Sequence, residues 1–314
     1  MKPSDKKILI IGAGVIGSIY AVNLSNAGYS VTMLARSRRL TELEEKGLTF
    51  YNNKTQSLDR THVEIINKLY DNDIYDYVFV TVRYEQIEDT LLGIKNNCSL
   101  NVVTMVNNPF GYDKWGEIVG KEKIIPAFPG AGGKIENGVL YYKLTSRIIQ
   151  PTTFGELSGE KSTRITELYK ILKSAGFPVS ICNNMDSWQK SHLAMVIPMA
   201  NAIYFDGGNN YSTAKNLQAI RNMSLSLKEN FNFLKSVGVI ITPTKLSIFR
   251  VCPTCFLSFL LKFIYKTKFA ETLISNHANN AKYEMELLSN DFEELAKEKC
   301  ISLKYLYPRV HEFT

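Results

Sequence analysis

Cysteine is scarce and irregularly placed. The 314-residue chain has five, at Cys98, Cys182, Cys252, Cys255 and Cys300. They are too few and too scattered for a disulfide framework, and an odd count fits a reducing compartment. Histidine is rarer, with four residues far apart, and no Ser-His-Asp signature accompanies them. Long apolar runs are missing. The most lipophilic stretch, Phe256–Tyr265, carries Lys262 in its middle and falls short of the ~20 residues needed to cross a bilayer. The N-terminal Met1–Lys7 segment runs into a strand-like stretch soon broken by glycines, a poor signal peptide. No low-complexity tract or internal repeat is visible, and 19 Gly and 10 Pro are spread along the chain. With 45% hydrophobic and 21% charged residues, disorder is excluded. These absences predict a soluble cytoplasmic protein with no membrane partner. At about 100–200 residues per domain, the length predicts two domains.

Against those absences stands one strong local pattern. Lys7–Ile11 is a short β-branched run of the buried parallel-strand type, followed by Gly12-Ala13-Gly14-Val15-Ile16-Gly17. A helix is expected over 18–26 and a second strand over 30–35, ending at Arg36. Strand, glycine turn, helix and strand within about 30 residues make a βαβ unit. In that context G-x-G-x-x-G reads as a dinucleotide fingerprint. Gly12 permits the tight turn, Gly14 lets the backbone approach a pyrophosphate, and Gly17 lets the helix pack on the strand. An NAD site usually ends the second strand with Asp or Glu. Here Arg36, followed by Ser37, Arg38 and Arg39, offers a guanidinium suited to a 2′-phosphate, so NADP(H) is the expected cofactor. Arg38 and Arg39 read as an exposed basic turn. Part of the net charge of +7, from 37 Lys+Arg against 30 Asp+Glu, thereby points to a nucleotide cofactor more than to nucleic acid.

Further strands are expected over 77–82, 101–106 and 123–127, which argues for an open α/β sheet. Strand-like runs follow over 134–154, then a helix over 163–175 and a short strand over 177–182. Beyond Asn183-Asn184 the pattern is helical nearly to the end. The expected division is therefore an α/β domain over 1–183 and an all-helical domain over 184–314.

At this point the sequence resembles the ketopantoate reductase (2-dehydropantoate 2-reductase) family. The landmarks occur in order over nearly the whole chain: the glycine loop, the strand ending at Arg36, and Thr81-Val82-Arg83-Tyr84-Glu85-Gln86. Then come Val106-Asn107-Asn108-Pro109-Phe110-Gly111, Trp188-Gln189-Lys190, and the stretch from Thr272 to Glu284. The resemblance implies a Rossmann-type parallel sheet followed by a helical domain of the 6-phosphogluconate dehydrogenase type, which carries substrate binding and dimerisation. It further implies NADPH-dependent reduction of ketopantoate or a related 2-oxo acid, as in pantothenate biosynthesis, with the active site between the halves. Lys190 matches the family's catalytic lysine, Glu284 its assisting glutamate, and Thr272 a substrate-gripping serine. Asn108 matches the asparagine on the nicotinamide side. Gln86, with the Val82-Arg83 segment, belongs to the cofactor contacts, as do Ala13, Val15 and Ile16 of the loop. Glu286 is a rival to Glu284.

The sequence departs from the family in places that matter. The family's Val-Lys segment reads Val82-Arg83, and its Asn-Gly turn reads Asn108-Pro109. Beyond Lys190, two family asparagines that hold substrate are replaced by Ala194 and Pro198, neither of which has a side-chain hydrogen-bonding group. A kink at Pro198 would re-aim Asn201 into the cleft, which makes Asn201 a substrate-binding candidate. The same chemistry on another carbonyl or imine, or a dinucleotide-binding protein without turnover, stays open. Cys252-Pro253-Thr254-Cys255 reads as incidental thiols or as a redox or metal pair, and no second pair completes a zinc site. No metal is expected. Phe128–Gly133 reads as a loop closing over ligand or as a plain chain reversal. The Phe256–Tyr265 run reads as core or as a homodimer interface.

Overall fold

The computed structural model describes residues 6–305. One compact unit comprises the chain up to Val106 together with Tyr112–Met185; a second comprises Asn107–Gly111 and the chain from Asp186. The strands are β1 (Lys7–Ile11), β2 (Ser30–Leu34), β3 (Leu48–Asn52), β4 (Ser57–Thr61), β5 (Glu64–Ile66) and β6 (Tyr77–Val80). They continue as β7 (Val102–Thr104), β8 (Ile124–Phe128), β9 (Ala131–Glu136), β10 (Val139–Leu144), β11 (Thr152–Phe154) and β12 (Val179–Ile181). Helices α1 (Val15–Asn26), α2 (Ser37–Lys46), α3 (Ile87–Ile94), α4 (Asp113–Val119) and α5 (Thr163–Ser174) complete the first unit.

Eight strands form one sheet in the order β12-β11-β8-β7-β6-β1-β2-β5. It is parallel except where β11 meets β8. Alternation along β1 shows why a continuous apolar run is needed. Ile8 and Ile10 enter one core with Tyr20, Phe79 and Phe154, whereas Leu9 and Ile11 enter the opposite core with Val78, Leu91 and Ile124. Both faces of the sheet are covered, so Ile8 to Ile11 are all apolar, and only Lys7, exposed at the strand's start, is polar. Each fully buried Ile or Leu contributes roughly 1.5–3 kcal/mol. Strand order reverses about β1, which lies between β2 and β6, and this places the glycine loop at the switch point where open α/β sheets bind ligands.

A second sheet, β4-β3-β10-β9, lies against α1 in the same unit, where the Tyr142 hydroxyl donates to Asn23 Oδ1 at 3.3 Å. It corrects the loop reading of Phe128–Gly133, because Ala131 to Gly133 are the first residues of β9. Gly130 passes so close to Pro151 and Thr152 that a Cβ has no room, and Gly133 packs on Tyr141 and Tyr142. The glycines serve close backbone packing.

The second unit is helical: α6 (Met185–Phe205), α7 (Asn210–Thr213), α8 (Leu217–Ser236), α9 (Ile248–Val251), α10 (Thr254–Tyr265), α11 (Lys268–Ala270), α12 (Asn276–Asn280) and α13 (Lys282–Lys297). A π-helical turn, Glu271–Ser275, joins α11 to α12. Helix α10 buries Leu257, Leu261 and Tyr265 but exposes Phe256, Phe259 and Phe263, so the phenylalanines of this run are not core. No helix among the described residues is long and apolar enough to cross a membrane.

Candidate functional site

The glycine loop is locked from below. Thr81, directly after β6, donates its hydroxyl to the carbonyls of Ile11 and Gly12 at 3.0 Å each, and its N–H to Ile11 at 2.8 Å. Gly12 has φ +106°, and a Cβ there would press on Thr81. A Cβ on Gly17 would overlap the carbonyl oxygen of Gly12. Gly14 differs, since a Cβ there meets nothing within 4 Å. It is the N-cap of α1, no side chain caps that helix, and no acid lies in its first turn. The first N–H groups of α1 and the open backbone at Gly14 therefore fit a dinucleotide pyrophosphate. Ala13 is buried, and Val15 and Ile16 are half-buried and packed on the core.

Arg36 is the N-cap of α2 and is exposed, with no ion-pair partner among the described residues. Arg38 bonds Glu42 at 2.8 Å. Arg39, three residues on, is turned onto the loop: its Nε donates to the Ala13 carbonyl at 3.1 Å. Val82 is half-buried against the second core. Arg83 is exposed, and its N–H lies 3.4 Å from Gln86 Oε1 across a short 3-10 turn.

In the helical unit, Lys190 lies on α6 with its ammonium 2.8 and 2.7 Å from the two oxygens of Asp186. That spacing of four residues puts both side chains on one helix face. The Lys190 side chain is only 14% exposed, so its charge is largely withdrawn from water. Trp188 stacks on His192 with ring centroids 5.1 Å apart. Glu284, at the start of α13, accepts from Asn107 Nδ2 at 3.3 Å. Burial, and then the charge of Glu284, push the Tyr204 hydroxyl above its ordinary range, so it stays a donor to the Ala278 carbonyl at 2.7 Å.

Other sequence candidates are engaged differently. Asn108 spends its amide on its own turn, donating to the Gly111 carbonyl at 2.6 Å and accepting from the Phe110 N–H at 3.1 Å. Its neighbour Asn107 is the residue that reaches Glu284. Thr272 is exposed and donates to the Lys268 carbonyl at 2.9 Å. Asn201 is buried and faces a cavity lined by Pro198, Phe205, Met223, Ser226 and Tyr305. Cys252 and Cys255 are free thiols, one buried and one exposed. Among the described residues no group of three or more His, Cys, Asp or Glu side chains could hold a metal.

The sequence reading gave no role to Thr81, Asp186 or Asn107, and it took Arg39 for part of an exposed basic turn, whereas that side chain is largely buried against the glycine loop. Of these, Asp186 had a readable signal, its spacing of four residues from Lys190. The position of Arg39 depends on how α2 leaves its strand, which no local pattern encodes.

Residues 8–159 match the model of the family described as Ketopantoate reductase PanE/ApbA. A 2-dehydropantoate 2-reductase from Pyrococcus abyssi is 27% identical over 188 residues, covering 58% of each chain. An uncharacterized oxidoreductase, YkpB, from Bacillus subtilis is 23% identical over 189 residues, 59% of this chain and 60% of that protein. The match thus spans under two thirds of these relatives' length. Among solved structures, a D-mandelate dehydrogenase with NADH and anilino(oxo)acetate superposes with a TM-score of 0.76 at 15% identity, covering 96% of this chain and 94% of that one. A PanE/ApbA family ketopantoate reductase from Ralstonia eutropha JMP134 gives 0.74 at 16% identity with the same coverage. Both likenesses are of fold. By the match over residues 8–159 and the curated relatives, the chain is similar to the ketopantoate reductase family.

Proposed function

We propose that the protein is an NADP(H)-dependent oxidoreductase that reduces a small 2-oxo acid, ketopantoate or a relative of it. The observation that carries this reading is the open backbone at Gly14 together with an Arg36 that no carboxylate among the described residues neutralises. Residues 1–183 are assigned dinucleotide binding and residues 184–314 substrate binding. When bound, the cofactor supplies hydride to the carbonyl carbon. Gly12–Gly17 hold its pyrophosphate and Arg36 its 2′-phosphate, with Val82, Arg83, Gln86 and Asn108 as further contacts. As hydride adds, the carbonyl electron pair moves to oxygen, which needs a proton. Lys190 polarises that oxygen and delivers the proton from its ammonium. Asp186 fixes the direction of the Lys190 side chain, and Glu284, Thr272 and Asn201 are the proposed substrate contacts. A homodimer belongs to the same proposal and is measured by sedimentation.

A second reading, another carbonyl or imine with the same cofactor, is favoured by Ala194 and Pro198. Both are buried and supply no polar side chain where the family has asparagines. NADPH oxidation across a panel of 2-oxo acids, with Lys190→Ala as control, tests both. Turnover abolished by that substitution supports the reductase. Tight NADPH binding without turnover on any substrate would make the protein a dinucleotide binder instead, and preference for NADH would overturn the role of Arg36.

A further inference from the structure

The corner where β2 meets α2 holds a second guanidinium that the Arg36 assignment does not use. Arg39 is no solvated member of a basic turn, for its side chain is only 17% exposed. It is fastened at three points: Nε to the Ala13 carbonyl at 3.1 Å, Nη1 to Glu42 Oε2 at 3.2 Å, and Nη2 to Ser18 Oγ at 3.4 Å. These contacts tie the glycine loop, α1 and α2 together. A guanidinium carries five N–H donors, so after three are used one remains on each terminal nitrogen. Arg36 lies three positions earlier, at the N-cap of the same helix.

Charge and order both favour an anion at this corner. Glu42 is shared by Arg38 and Arg39. Three guanidiniums against one carboxylate leave a net charge of about +2, which matches a phosphate monoester of about −1.5 to −2. Arg36 on its own would have to give up rotamer freedom to hold a ligand. Arg39 is already ordered by its three bonds, so its two remaining donors act at little entropic cost. A ribose hydroxyl, as in NADH, gains little from two cations, whereas a 2′-phosphate can accept from both.

Resting on the reading that this loop takes an NADP-type dinucleotide, we infer that Arg39 is the specificity-determining partner of Arg36. The two guanidiniums form a cradle for the 2′-phosphate, and Ala13, Ser18 and Glu42 hold Arg39 in place. The test titrates the full chain with adenosine 2′,5′-bisphosphate and with 5′-AMP, which differ only in that phosphate. Arg39→Ala is expected to weaken the bisphosphate about tenfold or more, the loss of a charge-assisted hydrogen bond, and 5′-AMP less than twofold. Arg39→Lys, which keeps the charge and loses the fork, is expected to fall between wild type and Arg39→Ala, and it carries the test if the alanine variant does not fold. Equal weakening of both ligands, or none of the bisphosphate, would overturn the inference and leave Arg39 a brace for the loop. A wild-type protein that does not favour the bisphosphate would instead overturn the NADP reading itself.

Discussion

Two glycines of one motif are required for opposite reasons, and substitution should separate them. At Gly17 a methyl group would overlap the Gly12 carbonyl and lie 2.7 Å from Thr81 Oγ1, and those two atoms are hydrogen-bonded to each other. Nothing there can yield without breaking the turn. Gly17→Ala is therefore expected to destabilise the protein by about 1–3 kcal/mol or more, read by denaturant titration. At Gly14 the same methyl projects into open space from a backbone with φ −74°, which alanine adopts freely. Gly14→Ala is expected to cost at most about 1 kcal/mol, the N-cap preference alone, while affinity for adenosine phosphates falls. Equal loss of stability in the two variants would show that neither glycine is kept for ligand. The motif announces both residues alike; only the local packing tells the steric glycine from the one that leaves room.

At the level of elements, α6 runs unbroken through Pro198. Proline has no N–H, so the carbonyl of Ala194, four residues earlier, loses its intrahelical donor. The fully buried Asn230 of α8 supplies one, with Nδ2 3.3 Å from that carbonyl. Asn230→Ala should leave the carbonyl unsatisfied and cost about 1–3 kcal/mol. With Pro198→Ala in the background, the restored N–H takes the carbonyl and that cost should shrink, a coupling that a double-mutant cycle measures. Unchanged cost in the Pro198→Ala background would refute the compensation. The N-terminus of α5 carries a second dependence. Ser162 caps it by accepting from the Ile165 N–H at 3.2 Å, and also donates to Glu156, whose Oε1 takes Arg164 Nε at 2.7 Å. Burial alone would raise the Glu156 carboxyl, but the bonds from Arg164 and Ser162 outweigh it and hold the group below its ordinary range. A lowered carboxylate contributes stability that is complete above the unfolded value of about 4.3 and is lost as pH falls through the folded one. Glu156→Gln should lower stability at neutral pH and flatten its acid limb, as thermal melts across pH would show.

For the whole molecule, legibility followed burial. The β1 run and its glycine turn were readable because both faces of that strand are buried, which leaves an unmistakable apolar block. Strand β4, Ser57-Leu58-Asp59-Arg60-Thr61, was not, since Leu58 is exposed and only Thr61 is buried, so no alternation marks it. Site residues divided the same way. Motif and resemblance point to Arg36 and Lys190, whereas Asn107, Arg39 and Asp186 owe their places to tertiary contacts. The proposed division of labour makes a prediction that neither unit tests alone. If Arg36 only binds cofactor, Arg36→Ala should raise the KM for NADPH about tenfold and keep most of kcat at saturation. If Lys190 only delivers the proton, Lys190→Ala should lower kcat by about 10²–10⁴ with NADPH affinity unchanged. The two effects arise in different units of the chain and act on different steps, so the double variant should show both in full. Loss of NADPH binding in Lys190→Ala would place that lysine at the cofactor and remove it from the role of acid.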